Sequence, residues 1–164
     1  MKSERIRLGE IKLAGITART TNQAEMNPET AKIAATLAKY FEGKIYEKVS
    51  NRLKPGTTYC VYTNYETDKN GPYTYFVGEE VNSFDNLAPI LETLTIPKQN
   101  YTKFNVGPGS RPAVCINAWQ NIWSMSTEDL GGKRRYIADF EIYDERALDP
   151  ENTSLDIYIG LKDA

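Results

Sequence analysis

Residues 58–80 read TYCVYTNYETDKNGPYTYFVGEE, and the fold class turns on this stretch. Two runs rich in tyrosine and β-branched residues, 58–66 and 73–80, flank Asp68-Lys69-Asn70-Gly71-Pro72. Such runs fit a pleated, half-buried surface, while Asp, Asn, Gly and Pro supply the dihedral angles and local hydrogen bonds of a turn. The pattern predicts a β-hairpin.

Upstream, residues 10–17 alternate Ile11, Leu13 and Gly15 against Lys12, Ala14 and Ile16, which reads as a strand. Asn27-Pro28 has the form of a helix cap with proline in the first turn. Ile33, Leu37 and Phe41 then recur at four-residue spacing, with Ala34 and Ala38 beside them. That spacing predicts an amphipathic helix of about four turns, stopped at Gly43. A loop with room for one helical turn reaches Gly56. The first half is strand, helix, strand, strand.

Downstream the order repeats. Residues 91–96 and 101–106 read as strands around Pro97-Lys98-Gln99-Asn100, and Gly107-Pro108-Gly109 breaks the chain. Ser110 or Arg111 can cap a helix opened by Pro112, with Cys115, Ala118, Trp119, Ile122 and Trp123 on one broad face. Residues 136–144 and 155–161 follow as strands beyond Gly131-Gly132. Tyr73-Thr74-Tyr75-Phe76-Val77-Gly78 is echoed by Leu155-Asp156-Ile157-Tyr158-Ile159-Gly160, and Tyr65-Glu66-Thr67-Asp68 by Phe140-Glu141-Ile142-Tyr143-Asp144. The expected fold class is therefore α+β, with tandem βαββ units related by pseudo-two-fold symmetry around a central ligand cleft. The halves run from about 10–81 and 90–162, within one domain spanning 1–164.

Composition narrows the chemistry. Lysine and arginine number 20 against 22 acids, so the chain lacks the basic field that a polyanion needs, and nucleic acid is not expected as a direct partner. There is no histidine, which removes the usual general base and the commonest metal ligand. Cys60 and Cys115 lack metal-like spacing. Neither a metal nor a cofactor is expected, and no residue is assigned a catalytic role. Without a secretion signal or an apolar run of spanning length, the expected location is cytoplasmic, with no membrane partner. Eleven tyrosines and two tryptophans outnumber five phenylalanines. Rings with a polar handle suit either half-exposed sheet positions or an aromatic-lined pocket.

Glu141 stands out. Strand alternation places it with Ile137, Asp139 and Tyr143, on a face that faces solvent or lines a pocket. Glu66, near Asn64 and Tyr62, is equally ambiguous. A carboxylate walled by rings would act as a cation receptor, helped by cation–π attraction, unless Arg134 or Arg135 neutralised it. Trp123 is assigned to the core, whereas Trp119 stands between core and pocket wall.

Three segments, YCVYTNYETDKNGPYTYFVGEEV (59–81), AWQNIW (118–123) and RRYIADFEIYDERALDPENTSLDIYIGL (134–161), together resemble the effector-binding, GyrI-like domain of AraC- and MerR-type bacterial transcription regulators. The resemblance runs from about Ile11 to Leu161 and is strongest to stand-alone members encoded on integron gene cassettes. It implies a cleft that takes bulky, often cationic, drug-like molecules against a buried glutamate, placed by motif at Glu141. It also implies aromatic wall residues at Tyr158, Trp119 and Tyr75, with Tyr59 and Tyr40 as further candidates. Fewer than ten residues precede the expected first strand and three follow the last, leaving no room for a helix-turn-helix region. The expected function is a stand-alone module that binds an amphipathic cation, with a regulator protein as a possible partner. The alternatives are a hydrolase of electrophilic molecules using the pocket glutamate as base, and an inhibitor acting through protein contacts.

Overall fold

A computed structural model describes residues 1–163. Its strands are β1 (Lys2–Leu8), β2 (Ile11–Thr20), β3 (Thr58–Thr63), β4 (Tyr73–Glu80), β5 (Glu92–Ile96), β6 (Gln99–Gly109), β7 (Ala138–Tyr143) and β8 (Thr153–Leu161). Helices are α1 (Asn22–Glu25), α2 (Ile33–Glu42), α3 (Ala113–Ser124) and α4 (Thr127–Leu130), with a 3-10 turn at Ile45–Lys48. None is long and apolar enough to cross a membrane among the described residues.

The strands form one antiparallel sheet in the order β1-β6-β8-β7-β3-β4-β2-β5. Read outward from the central β7–β3 pair, β7-β8-β6 repeats β3-β4-β2. α3 connects β6 to β7 as α2 connects β2 to β3. The structure is therefore α+β, two βαββ units back to back.

The echo between 73–78 and 155–160 marks equivalent ends of β4 and β8. A Cβ at Gly78 would run into the Ala14 carbonyl of β2, and one at Gly160 would lie 2.8 Å from the Ala138 carbonyl. Both strands keep glycine where a neighbouring backbone comes close. The other echo fails, because residues 65–68 lie in the hairpin loop while 140–143 lie in β7.

Each half also lends a strand to the other. β1 borders β6, and β5 borders β2, so the first strand of the chain lies before the residues expected to begin the fold. The two ladders share one register. Leu8 faces Gln99 and Ile11 faces Ile96, so residues 2–15 and 92–105 form a single ribbon bent at Gly9-Glu10. A mostly exposed, charged strand such as β1 lacks the apolar alternation that reveals a half-buried one.

Other boundaries moved for local reasons. α2 begins at Ile33 rather than near Pro28, because the Glu25 carboxylate accepts from the Lys32 and Ile33 N–H groups at 2.8 and 3.0 Å and caps the helix from α1. Its buried side chains are Thr36 and Tyr40, while Phe41 is exposed. Neither Ser110 nor Arg111 caps α3; Pro112 occupies the cap position and makes no side-chain cap bond. β6 runs through Gly107-Pro108-Gly109, with a register shift between Val106 and Gly109 that takes Pro108 out of the ladder.

The sheet has a core on each face. One packs Leu13, Val61, Phe76, Ile96, Tyr101 and Phe140 without helices. On the other, α2 covers Cys60, Tyr75 and Val77, and α3 covers Ile157, Ile159 and Leu161. Tyr62 and Tyr143 touch both helix-covered clusters, so the seam between the halves runs through them.

Candidate functional site

Glu141 lies on β7 at this seam, directly opposite Cys60 of β3. Antiparallel partners point to the same side, so both project under the helices. Tyr62 lies two residues beyond Cys60, and Tyr143 two beyond Glu141. Trp119 comes down from α3, four residues after Cys115.

These groups converge on the carboxylate. Oε2 accepts from Trp119 Nε1 at 2.7 Å and from the Tyr62 hydroxyl at 2.8 Å, and Oε1 accepts from the Tyr143 hydroxyl at 2.7 Å. Cys115 Sγ lies 3.4 Å from the Tyr143 hydroxyl. Glu141 is 3% exposed. Every donor is neutral: burial first, and the Glu141 charge second, push the Tyr62 and Tyr143 hydroxyls and the Cys115 thiol well above their ordinary ranges. Among the described residues, no lysine or arginine comes within salt-bridge reach of Glu141.

The arginines considered as partners are engaged elsewhere. Arg134 pairs with Asp139 at 2.7 Å, and Asp139 also accepts from the Tyr65 hydroxyl at 2.6 Å and the Gly160 N–H at 2.7 Å. Arg135 reaches Gln99 at 3.5 Å. Glu66 is exposed in the hairpin loop, so Glu141 is the buried acid of this pair.

A run of rings crosses the seam. From Trp123 it passes to Trp119, Tyr62, Tyr73, Tyr65 and Tyr136, with successive centroids 6.3, 5.0, 5.6, 5.9 and 5.5 Å apart. Tyr75 joins it beside Tyr62 at 5.5 Å. Much of the excess of tyrosine over phenylalanine is collected here. Tyr62, Tyr65, Tyr73 and Tyr143 all send their hydroxyls to a side-chain acceptor, which Phe could not do.

The six residues singled out from sequence divide between the two faces of the sheet. Glu141, Trp119 and Tyr75 meet at the seam. Tyr40 belongs to the neighbouring cluster under α2. Tyr59 and Tyr158 lie on the opposite face, where they line an open cavity of about 320 Å³ with Glu80 and Asp156. Tyr62, Tyr143 and Cys115 were not singled out, although strand alternation already placed Tyr143 beside Glu141. Trp123 is not core: it is 40% exposed on α3, next to the buried Trp119.

Paired βαββ units meeting at a buried acid agree with the effector-binding class that the sequence motifs resemble. The family model for Cass2, integron-associated effector binding protein, matches residues 6–161, and this chain belongs to that family. The Bacillus subtilis (strain 168) protein YobU is 29% identical over 151 residues, covering 92% of each chain. Integron cassette protein VCH_CASS2, from the mobile metagenome of Vibrio cholerae, superposes with a TM-score of 0.76 at 27% identity, covering 98% of this chain and 95% of its own. SAV2435, solved bound to tetraphenylphosphonium, has the same fold at a TM-score of 0.77 and 17% identity, covering 99% and 94%.

Proposed function

We propose that the chain binds a bulky apolar cation in the seam between α2 and α3, with Glu141 as the counter-charge and Trp119, Tyr62, Tyr75 and Tyr143 as its walls. One observation carries this reading: a buried carboxylate held by three neutral donors and no cation. Neutral donors satisfy lone pairs but leave the charge in place, and a charge out of water is costly until an opposite one joins it. A ligand bringing a diffuse positive charge gains Coulomb attraction at low dielectric and cation–π contacts worth about 0.5–2 kcal/mol each. The phosphonium bound by SAV2435 is a ligand of this kind. The rings fill the seam, so binding requires Tyr62 or Trp119 to swing aside. Tyr62 touches both helix-covered clusters and Trp119 packs against it, where such movement disturbs the core least.

Titration with tetraphenylphosphonium, followed by fluorescence in a Trp123→Phe background, makes Trp119 the only tryptophan reporter. We expect saturable quenching. Glu141→Gln, which keeps the shape and removes the charge, weakens binding at least tenfold, about 1.4 kcal/mol or more. Equal affinity in the variant refutes the electrostatic reading. Turnover of an electrophilic substrate that disappears in Glu141→Gln would favour hydrolysis instead.

A further inference from the structure

The helix-covered face holds another buried acid that this account does not use. Glu79 lies on β4 with its side chain 2% exposed. Its Oε2 receives two long contacts, from Arg52 Nη1 at 3.5 Å and from the Gly56 N–H at 3.4 Å. Its Oε1 is buried without a partner, and so is the Tyr40 hydroxyl, which reaches down from α2. Tyr40 packs in the same cluster as Tyr75 and Val77, the residues of β4 that lead to Glu79. Buried polar atoms are nearly always paired. Two orphans on one patch leave hydrogen-bonding capacity that the chain does not use.

The sheet sets the distance between the two acids. Glu141 faces Cys60, Cys60 faces Val77, and Glu79 follows two residues later on the same side. Two strand spacings across and two residues along put the Cα atoms roughly 12 Å apart. Cys60 and Val77 lie between, with Thr58 level with Glu79. The ends differ in chemistry: Glu141 already has three hydrogen bonds and lacks only a charge, whereas Glu79 lacks a donor.

We propose that the helix-covered face, once its rings move aside, accepts an elongated dication, with a fully alkylated or arylated onium group at Glu141 and a primary ammonium reaching Glu79 Oε1 and the Tyr40 oxygen. The proposal rests on the cation reading of Glu141. Arg52 is the cation facing Glu79. Its side chain is 25% exposed, and its flexible stem lets it turn to water when the ammonium arrives.

The test compares (aminooctyl)trimethylammonium with octyltrimethylammonium by calorimetry at a pH where the amine keeps its proton. The two compounds share the eight-carbon chain, and the terminal ammonium would weaken binding at a purely apolar site. Paired with Glu79, the amine binds about tenfold more tightly than the alkyl compound. The ratio collapses in Glu79→Gln, and it also collapses with (aminobutyl)trimethylammonium, which is too short and leaves the protein unaltered. A wild-type ratio of one or less, or one indifferent to chain length, overturns the dication site while leaving tetraphenylphosphonium binding to judge Glu141. If Glu141→Gln leaves every affinity intact, the cation reading itself falls.

Discussion

Asp139 and Glu141 share one strand and one face, two residues apart, yet they sit in opposite electrostatic situations. Asp139 is fully buried and locked to Arg134, Tyr65 and a backbone N–H. Glu141, almost as deeply buried, has only neutral donors. Arg134 also packs its guanidinium 4.4 Å from the Tyr136 ring, which fixes it where it serves Asp139. An internal cation makes one acid a structural fastener. Its absence leaves the other as the counter-charge of the proposed cation site.

The widest separation between the two comes from removing each carboxylate. Asp139→Ala strands the buried Arg134 charge and destabilises the fold by about 3–5 kcal/mol in urea unfolding. Glu141→Gln strands no cation and costs about 1 kcal/mol, from one mismatched donor. Similar costs for both would end the distinction. Between these two falls Trp119→Phe, which keeps a ring but takes a hydrogen bond from a buried charge. We expect about 1.5–3 kcal/mol lost in the free protein, with part of that loss recovered when tetraphenylphosphonium is bound. Tyr143→Phe, which keeps the ring and removes one hydrogen bond, follows at about 1–2 kcal/mol. If either aromatic variant were as stable as the parent, the donors would not be holding the carboxylate.

Glu79 sharpens the comparison by pH. Burial, its largest influence, raises its pKa above the ordinary carboxylate value against the weaker pull of Gly56 and Arg52. The folded state therefore holds the proton more tightly than the unfolded chain. Its contribution to stability is present below the unfolded pKa and is lost as pH rises through the folded one. Denaturation curves recorded upward from mildly acidic pH should show that decline, and Glu79→Gln should flatten it. An unchanged slope in the variant assigns the decline to another group.

Much of the architecture was legible along the chain. The hairpin at 58–80, both long helices and the duplicated strand order rest on local periodicity and turn chemistry, and all are present. What was missed is non-local or carries little amphipathic signal. β1 is charged and exposed, β5 leaves its own half to border β2, and α2 takes its cap from Glu25, seven residues before the cap position. Tyr59 and Tyr158 look equivalent to Tyr75 in sequence, but odd and even positions of a strand point to opposite faces. Strand parity sent them to the other side of the sheet.

By itself the sequence determined the class of fold, the family motifs and Glu141 as the acid to watch. Alternation and spacing are properties of neighbouring residues and need no partner to be read. Only the tertiary structure decided that Arg134 serves Asp139 and that three neutral donors surround Glu141. It also decided that Glu79 lies buried beside Tyr40. Those outcomes depend on which side chains from distant strands and helices arrive at the same few ångströms of sheet. Burial makes each meeting count, because a charge taken out of water must find its compensation within that radius.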